Sequence, residues 1–423
     1  VDSIAQHKGY KFRIYPTKDQ ETLLGKMFGC NRFVWNHFLN KQQESYLKNK
    51  ESTEETRLKG YLSYYENCEN LTKLKKESET SFLKETNSQS LQSTLKELDN
   101  SYKRFFNKTS GFPNFKKKSN KQSFKVPQNI KIKDNKFLII PKFLEGIEMV
   151  YHRPIPKEGK ILYVTISKTP SGKYFASFCV EEPIKESIKK PNKTVGIDLG
   201  ITTFATLSDG TKIKNPRNYK KLENQLKKQQ QNLSRKQKGS RNREKQRVRV
   251  ARIHEKISKK RTDFLHKTSK KIIDENQIIC LETLNVDGML KNHKLAKHIQ
   301  DSGWRTFINQ LEYKGLWHGR TIIKINRWFP SSKVCFGCGF KKDDLSLETR
   351  EWVCQGCGAT VDRDLNASKN ILRQGINIMI DSNKNSLGTN ENRCGGVVRL
   401  GETLADSDEA SKVPEKEAHS FIL

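Results

Sequence analysis

The chain runs to 423 residues, with 80 Lys and Arg against 47 Asp and Glu, a formal charge of +33 and a sequence pI near 9.7. That length exceeds one ordinary core and implies two or three domains of about 100 to 200 residues each; so basic a balance calls for a polyanionic partner, nucleic acid before an acidic membrane surface. No apolar run approaches the roughly 18 residues needed to cross a bilayer, and of nine cysteines only four fall in C-x-x-C pairs, so neither a membrane protein nor a disulfide framework is indicated. The expectation is an intracellular protein, cytoplasmic and nucleoid-associated, with no membrane contact.

Along the chain, YKFRIY (Tyr10 to Tyr15) alternates apolar and basic residues and predicts a strand with one buried and one cationic face. Thr17 with Gln20 three residues on has the capping-box pattern, and Leu23, Leu24, Met27, Phe28, Phe33, Val34 and Phe38 then recur at helical spacing. The Lys/Glu-rich stretch to about Lys108, with Leu91, Leu95 and Leu98, reads as a small helical domain. Past Ser110-Gly111-Phe112-Pro113 the pattern changes to strands, broken at Lys133-Asp134-Asn135 and Pro170-Ser171-Gly172, and predicts a β-barrel or sandwich to about Val180. The first strand could join it, making the helical block an insertion. The cluster Lys116-Lys117-Lys118 at the junction is either solvated surface or a phosphate contact.

From Thr194, VGIDLG and ITTFATL predict strands, with Asp209-Gly210 turning an antiparallel meander. Between Lys212 and Lys271, 23 Lys/Arg less 4 Asp/Glu leaves +19, with helically spaced Leu222, Leu226, Leu233, Val250, Ile253 and Ile257. Such a stretch repels itself unless a polyanion neutralises it, so a long basic helical hairpin against nucleic acid is expected. Beyond Leu387 a Gly/Asn/Ser-rich and then acidic tail reads as mobile.

Two sets of residues carry chemistry. Cys335-x2-Cys338 and Cys354-x2-Cys357, 15 residues apart, supply four thiolates for a closed tetrahedral zinc site with no open position, hence a structural ion, one per chain. Glycines 337, 339, 356 and 358 suit tight turns about a metal; a redox pair or free thiols are the alternatives. Asp198 lies in the hydrophobic strand VGIDLG, Glu282 ends IICLE, and Asp364 stands in DRDLNASKNIL, where Asp362 can cap the helix and Asp364 face inward. Each alone has a plain reading: a strand-end Glu is commonly surface and an Asp opening a helix commonly a cap. Together, three acids on apolar elements can hold two magnesium ions about 4 Å apart for phosphodiester hydrolysis. No G-x-x-x-x-G-K-[ST] loop is present, which argues against an ATP-driven motor.

YKFRIYPTKDQ, FGCNRFVWN, GFPNFKKK, VGIDLGITTFAT, CLETLNV, WFPSSKVCFGCG and WVCQGCGATVDRDLNASKNIL together resemble the transposon-encoded TnpB proteins (insertion-sequence OrfB), relatives of the compact type V CRISPR effectors, from about Tyr10 to Leu372. The resemblance implies an α/β multidomain chain: a β-barrel wedge domain (8–16 and 120–188) with a helical recognition insertion (17–119), an RNase H-like RuvC domain (189–329 and 361–378) with the basic hairpin (215–275), an inserted zinc ribbon that binds target nucleic acid (330–360), and a disordered tail (379–423). It makes Asp198, Glu282 and Asp364 the catalytic magnesium ligands, gives Arg363 a phosphate contact, and leaves Asn366 without a firm role. It further implies a guide RNA, a double-stranded DNA target with a short adjacent motif, and a monomer. Ser368 departs from the common pattern, which has Ala, a small-for-small change. Other readings are a nuclease-inactive RNA-guided repressor, disfavoured by the intact acids, and a DNA transposase acting without RNA.

Overall fold

The computed structural model describes residues 5–51, 62–119, 121–183, 191–346 and 349–385, in two compact units. The first comprises Val1–Ile184 with Asn218–Thr262, the second Lys185–Arg217 with Asp263–Leu423.

In the first unit, β1 (Ala5–Tyr15) leads into α1 (Lys18–Glu51), α2 (Tyr64–Leu74) and α3 (Ser88–Phe106), followed by β2 (Gln122–Val126), β3 (Lys131–Lys133), β4 (Phe137–Ile140), β5 (Phe143–Val150), β6 (Lys160–Lys168) and β7 (Tyr174–Pro183). The seven strands pair antiparallel in the order β2-β6-β7-β1-β5-β4-β3, so the first strand does join the later ones, at the sheet's centre. Its alternation is realised as expected: Tyr10, Phe12 and Ile14 are buried. The sheet is curled but open, a half-barrel, which corrects the expected closed β-barrel. β3 is three residues long with both lysines exposed, and a short charged edge offers little to a further strand. Asp134 and Asn135, at φ +52° and +51°, make the β3–β4 turn.

Thr17 and Gln20 bond reciprocally (3.3 and 3.1 Å), fixing the entry of α1. Leu24, Met27 and Phe28 fill the sheet's inner face with Phe12, Phe124 and Phe178, whereas Val34, Phe38 and Leu39 of the same helix pack with Leu71, Leu91, Leu95 and Leu98. One helix thus serves two cores. Lys116 lies over the Trp35 ring at 3.7 Å, and burial lowers its pKa, so this lysine is committed to packing while Lys117 and Lys118 stay exposed.

The basic hairpin is formed by α4 (Asn218–Ser234) and α5 (Arg241–Glu275), closed on Leu226, Val250, Ile253 and Ile257. Over Asn218–Thr262 it packs with the first unit rather than with the sheet that follows it in the chain. Glu255 explains this locally: its carboxylate accepts from Ser171 Oγ (2.6 Å) and pairs with Lys173 (2.8 Å) and Lys259 (2.7 Å), tying α5 to the β6–β7 turn.

The second unit contains β8 (Thr194–Leu199), β9 (Thr203–Leu207), β10 (Lys212–Lys214), β11 (Ile278–Glu282) and β12 (Thr321–Ile325), in the order β10-β9-β8-β11-β12. The first three form the expected meander; β11 runs parallel to both β8 and β12. This mixed sheet is an RNase H-type arrangement. Helices α6 (Val286–Leu290), α7 (His293–Ser302) and α8 (Trp304–His318) precede β12, and β13 (Glu351–Val353), β14 (Thr360–Asp362) and α9 (Arg363–Asn385) follow it. α9 lies close on the sheet because two glycines let it: a Cβ on Gly196 would stand 2.1 Å from Ser368 O, and one on Gly375 2.3 Å from Cys280 Sγ. Ser368 is fully buried and donates to Leu365 O (2.8 Å), so the departure from Ala is accommodated. Positions 379–385, expected to begin the mobile tail, continue α9 instead, since Ile378 and Met379 pack against the Cys280 and Ile323 cluster; the rest of that tail lies outside the described residues.

Candidate active site

The register that pairs Leu281 with Ile197 sets Glu282 beside Asp198 at the same end of adjacent parallel strands. Asp364 arrives from above, as the second residue of α9. Burial first, then the charges of Glu282 and Asp364, push Asp198 up to about 8, against the opposing pull of Arg363 and Arg350. Burial also raises Glu282, offset in part by Ser331, whose hydroxyl donates to Glu282 Oε1. Arg350 Nη1 stands 3.5 Å from Asp364 Oδ1. The structure therefore brings the three acids into one electrostatic cluster, Arg363 included. Their oxygens are not drawn to chelating distance: among the described residues only the cysteine set is.

Asp362 behaves as the sequence suggested. Its Oδ1 accepts from Leu365 N (2.9 Å) at the start of α9 and its Oδ2 from Lys212 Nζ (2.6 Å); although burial would raise its pKa, these partners bring it down.

A folded-state pKa near 8 for Asp198, against about 3.9 in an unfolded chain, carries a sign. Between those values the folded protein keeps a proton that the unfolded chain releases, so this contribution to stability is present below about pH 4 and is lost as pH rises through about 8. In magnesium-free buffer, Asp198→Asn is expected to flatten that slope and to be the more stable protein near pH 8. Urea unfolding across this pH range checks it; an Asn variant no more stable than wild type would contradict the burial of the carboxylate.

All four cysteine sulfurs lie within 4.8 Å of one another, a cluster able to chelate a metal ion. The two knuckles are alike: Gly339 N donates to Cys335 O (2.9 Å) and Gly358 N to Cys354 O (2.8 Å), with these glycines at φ +79° and +70°. Burial would raise the Cys354 thiol, yet the backbone N–H groups of Cys357 and Gly356 bring it down to about 7, toward the thiolate that binds metal.

Three residues of this region escaped sequence reading. Ser331 orients Glu282. Asn366 accepts from Phe336 N (2.8 Å) and donates to Val334 O (2.7 Å), and Asn370 donates to Ser331 O (2.8 Å) and Val334 O (2.6 Å). The only signal was their presence in WFPSSK and NASKN, with the two asparagines four apart on one helix face.

Sheet order, buried acids and cysteine cluster together define a RuvC-like nuclease domain of RNase H type that carries a metal-chelating module. Family models match accordingly: OrfB_IS605 ("Probable transposase") over residues 177–293, "Cas12f1-like, TNB domain" over 304–371, and "Helix-turn-helix domain" over 6–51, a span that here forms one strand and one long helix. A Streptomyces pristinaespiralis protein named "Putative RNA-guided DNA endonuclease" is 39% identical over 87% of this chain and 89% of its own. Escherichia coli InsQ, named in the same terms, is 30% identical over 94% and 96%, and the mimivirus "TnpB-like protein L79" 24% over 86% and 73%. The chain belongs to the TnpB/OrfB family. Among the described residues no helix is long and apolar enough to cross a membrane.

Proposed function

We propose that this protein is an RNA-guided DNA endonuclease that hydrolyses DNA with two magnesium ions held by Asp198, Glu282 and Asp364. The observation that carries this is the burial of Asp198 beside two further acids, which drives its pKa to about 8: a hard-oxygen donor set whose mutual repulsion divalent cations would relieve. Magnesium there would supply Lewis-acid stabilisation of the attacking and leaving oxygens. The chain's own residues position that chemistry: Ser331 holds Glu282, Arg350 steadies Asp364, and Arg363 offers its guanidinium to the scissile phosphate. Four thiols closing on one point suit a single structural zinc in a ribbon over 330–360.

In this reading the half-barrel (8–16, 120–188) and helical block (17–119) are wedge and recognition domains for guide RNA and target-adjacent duplex, and 189–329 with 361–378 is the nuclease. The basic hairpin adds grip on the heteroduplex, held by shape while base pairing supplies sequence. The protein acts as a monomer in the cytoplasm.

Purified protein carrying its RNA, given a new target-matching end, is expected to redirect cleavage within a DNA library to the new sequence beside one short flanking motif. Cutting that ignores the guide would favour an unguided transposase or nuclease; guided binding without cleavage in magnesium would favour a repressor.

A further inference from the structure

We propose that segment 326–336, together with α9, is a track holding the single strand of DNA to be cut, its bases stacking on Trp328 and at a cleft formed by Phe336 and Arg373. The proposal rests on the reading of the three acids as a DNA-cleaving site and names how that site takes its substrate.

Ile325, the last residue of β12, is in register with Glu282, so the residues that follow leave the sheet beside the acids. Of the five tryptophans, Trp35, Trp304 and Trp352 are buried and Trp317 half-buried, but Trp328 is 76% exposed. Packing does not account for it: a large ring left in water at the mouth of a site calls for a ligand. Nor is it loosely placed. Its backbone N–H donates to Asn326 Oδ1 (2.9 Å), and the Arg327 guanidinium lies 4.4 Å from the ring centroid.

On the other side of Ser331 a second platform repeats the chemistry. Arg373 stacks on Phe336 at 3.9 Å, with its Nη2 donating to Phe336 O, and Lys369 stands 5.6 Å from the same ring. These residues line a cleft of about 380 Å³ with Ser208 and Asn377. Among the described residues Arg327, Lys369 and Arg373 enter no ion pair, so their charge is available to phosphates. Asn366 and Asn370 clamp the intervening backbone to the helix that carries Asp364, which keeps both platforms fixed relative to that acid.

Aromatic faces for bases and unpaired cations for phosphates accept a strand of any sequence. A guided nuclease requires that tolerance, because its sequence choice is made elsewhere by pairing.

The test uses the full chain as the non-cutting Asp198→Ala variant and a single-stranded oligothymidylate of about 15 nucleotides, followed by tryptophan emission and anisotropy. The oligonucleotide should quench the exposed-tryptophan emission, and Trp328→Phe should remove that quench. Trp328→Ala should weaken binding on the order of tenfold, and Arg373→Gln should lower the slope of log affinity against log salt by about 0.7. Since Phe336 lies within a cysteine knuckle, the surface variants Trp328→Ala and Arg373→Gln carry the decision. Binding without quench, or affinity and salt slope unchanged in both variants, overturns the track and leaves the nuclease reading intact. Cleavage that persists in Asp198→Ala counts against the nuclease reading and leaves the binding result standing.

Discussion

Replacing Asp198, Glu282 or Asp364 with Ala is expected to lower magnesium-dependent DNA cleavage by more than about 100-fold, beyond the cost of losing an outer partner of a metal ligand. Each substitution removes one oxygen donor from a set of three, and no other acid is placed to replace it: Asp362 is bound to Leu365 N and Lys212. Nucleic-acid affinity should be largely kept, because the chain's charge of +33 is spread over both units and is only made more positive. Folding should not suffer at Asp198, where the carboxylate is a burden on stability. Two contrasts sharpen the result. Ser331→Ala, which frees Glu282, should cost about 10- to 100-fold as an outer-partner loss. Asp362→Ala should cost about 0.5 to 2 kcal/mol of stability as a lost helix cap and little activity. Cleavage assays at saturating guide with denaturation curves for all five variants check this; wild-type cutting by any of the three alanine variants would remove that residue from the site.

Cys335→Ser is expected to release the metal and to abolish cleavage although no cysteine lies among the three acids. Closure of four thiols organises a module with little apolar core of its own, essentially Trp352, Val361 and partners. In small metal-bound modules binding supplies about 10 to 16 kcal/mol of apparent folding free energy. Collapse would not stay local. Phe336, next to Cys335, is bonded to Asn366, and Val334 is held by Asn366 and Asn370, so the knuckle is fastened to the helix that starts at Asp364. Ser331, which holds Glu282, sits on the same segment. Native protein should contain one zinc per chain by elemental analysis, and Cys335→Ser none. Native protein with no metal and all four thiols freely titratable would refute the chelate.

The residues of the site were readable from local pattern. A carboxylate in VGIDLG must be buried, since apolar neighbours force the strand into a core, and a buried acid needs a reason to be there. Two C-x-x-C pairs carry their geometry in their spacing. The capping roles of Thr17, Gln20 and Asp362 were likewise local, decided within three residues of chain.

What only the tertiary structure decided is what depends on contacts between distant residues. Whether the β2–β7 strands closed into a barrel turned on edge pairing, and the charged three-residue β3 left the sheet open. The packing of the basic hairpin over 218–262 turned on Glu255 meeting Lys173 and Ser171, 82 and 84 residues away in sequence. The end of α9 turned on Ile378 and Met379 finding an apolar cluster that composition could not foretell. Ser331, Asn366 and Asn370 stayed hidden for the same reason: a neutral polar side chain is unremarked in sequence until the fold buries it opposite a partner, and only then does its hydrogen bond matter.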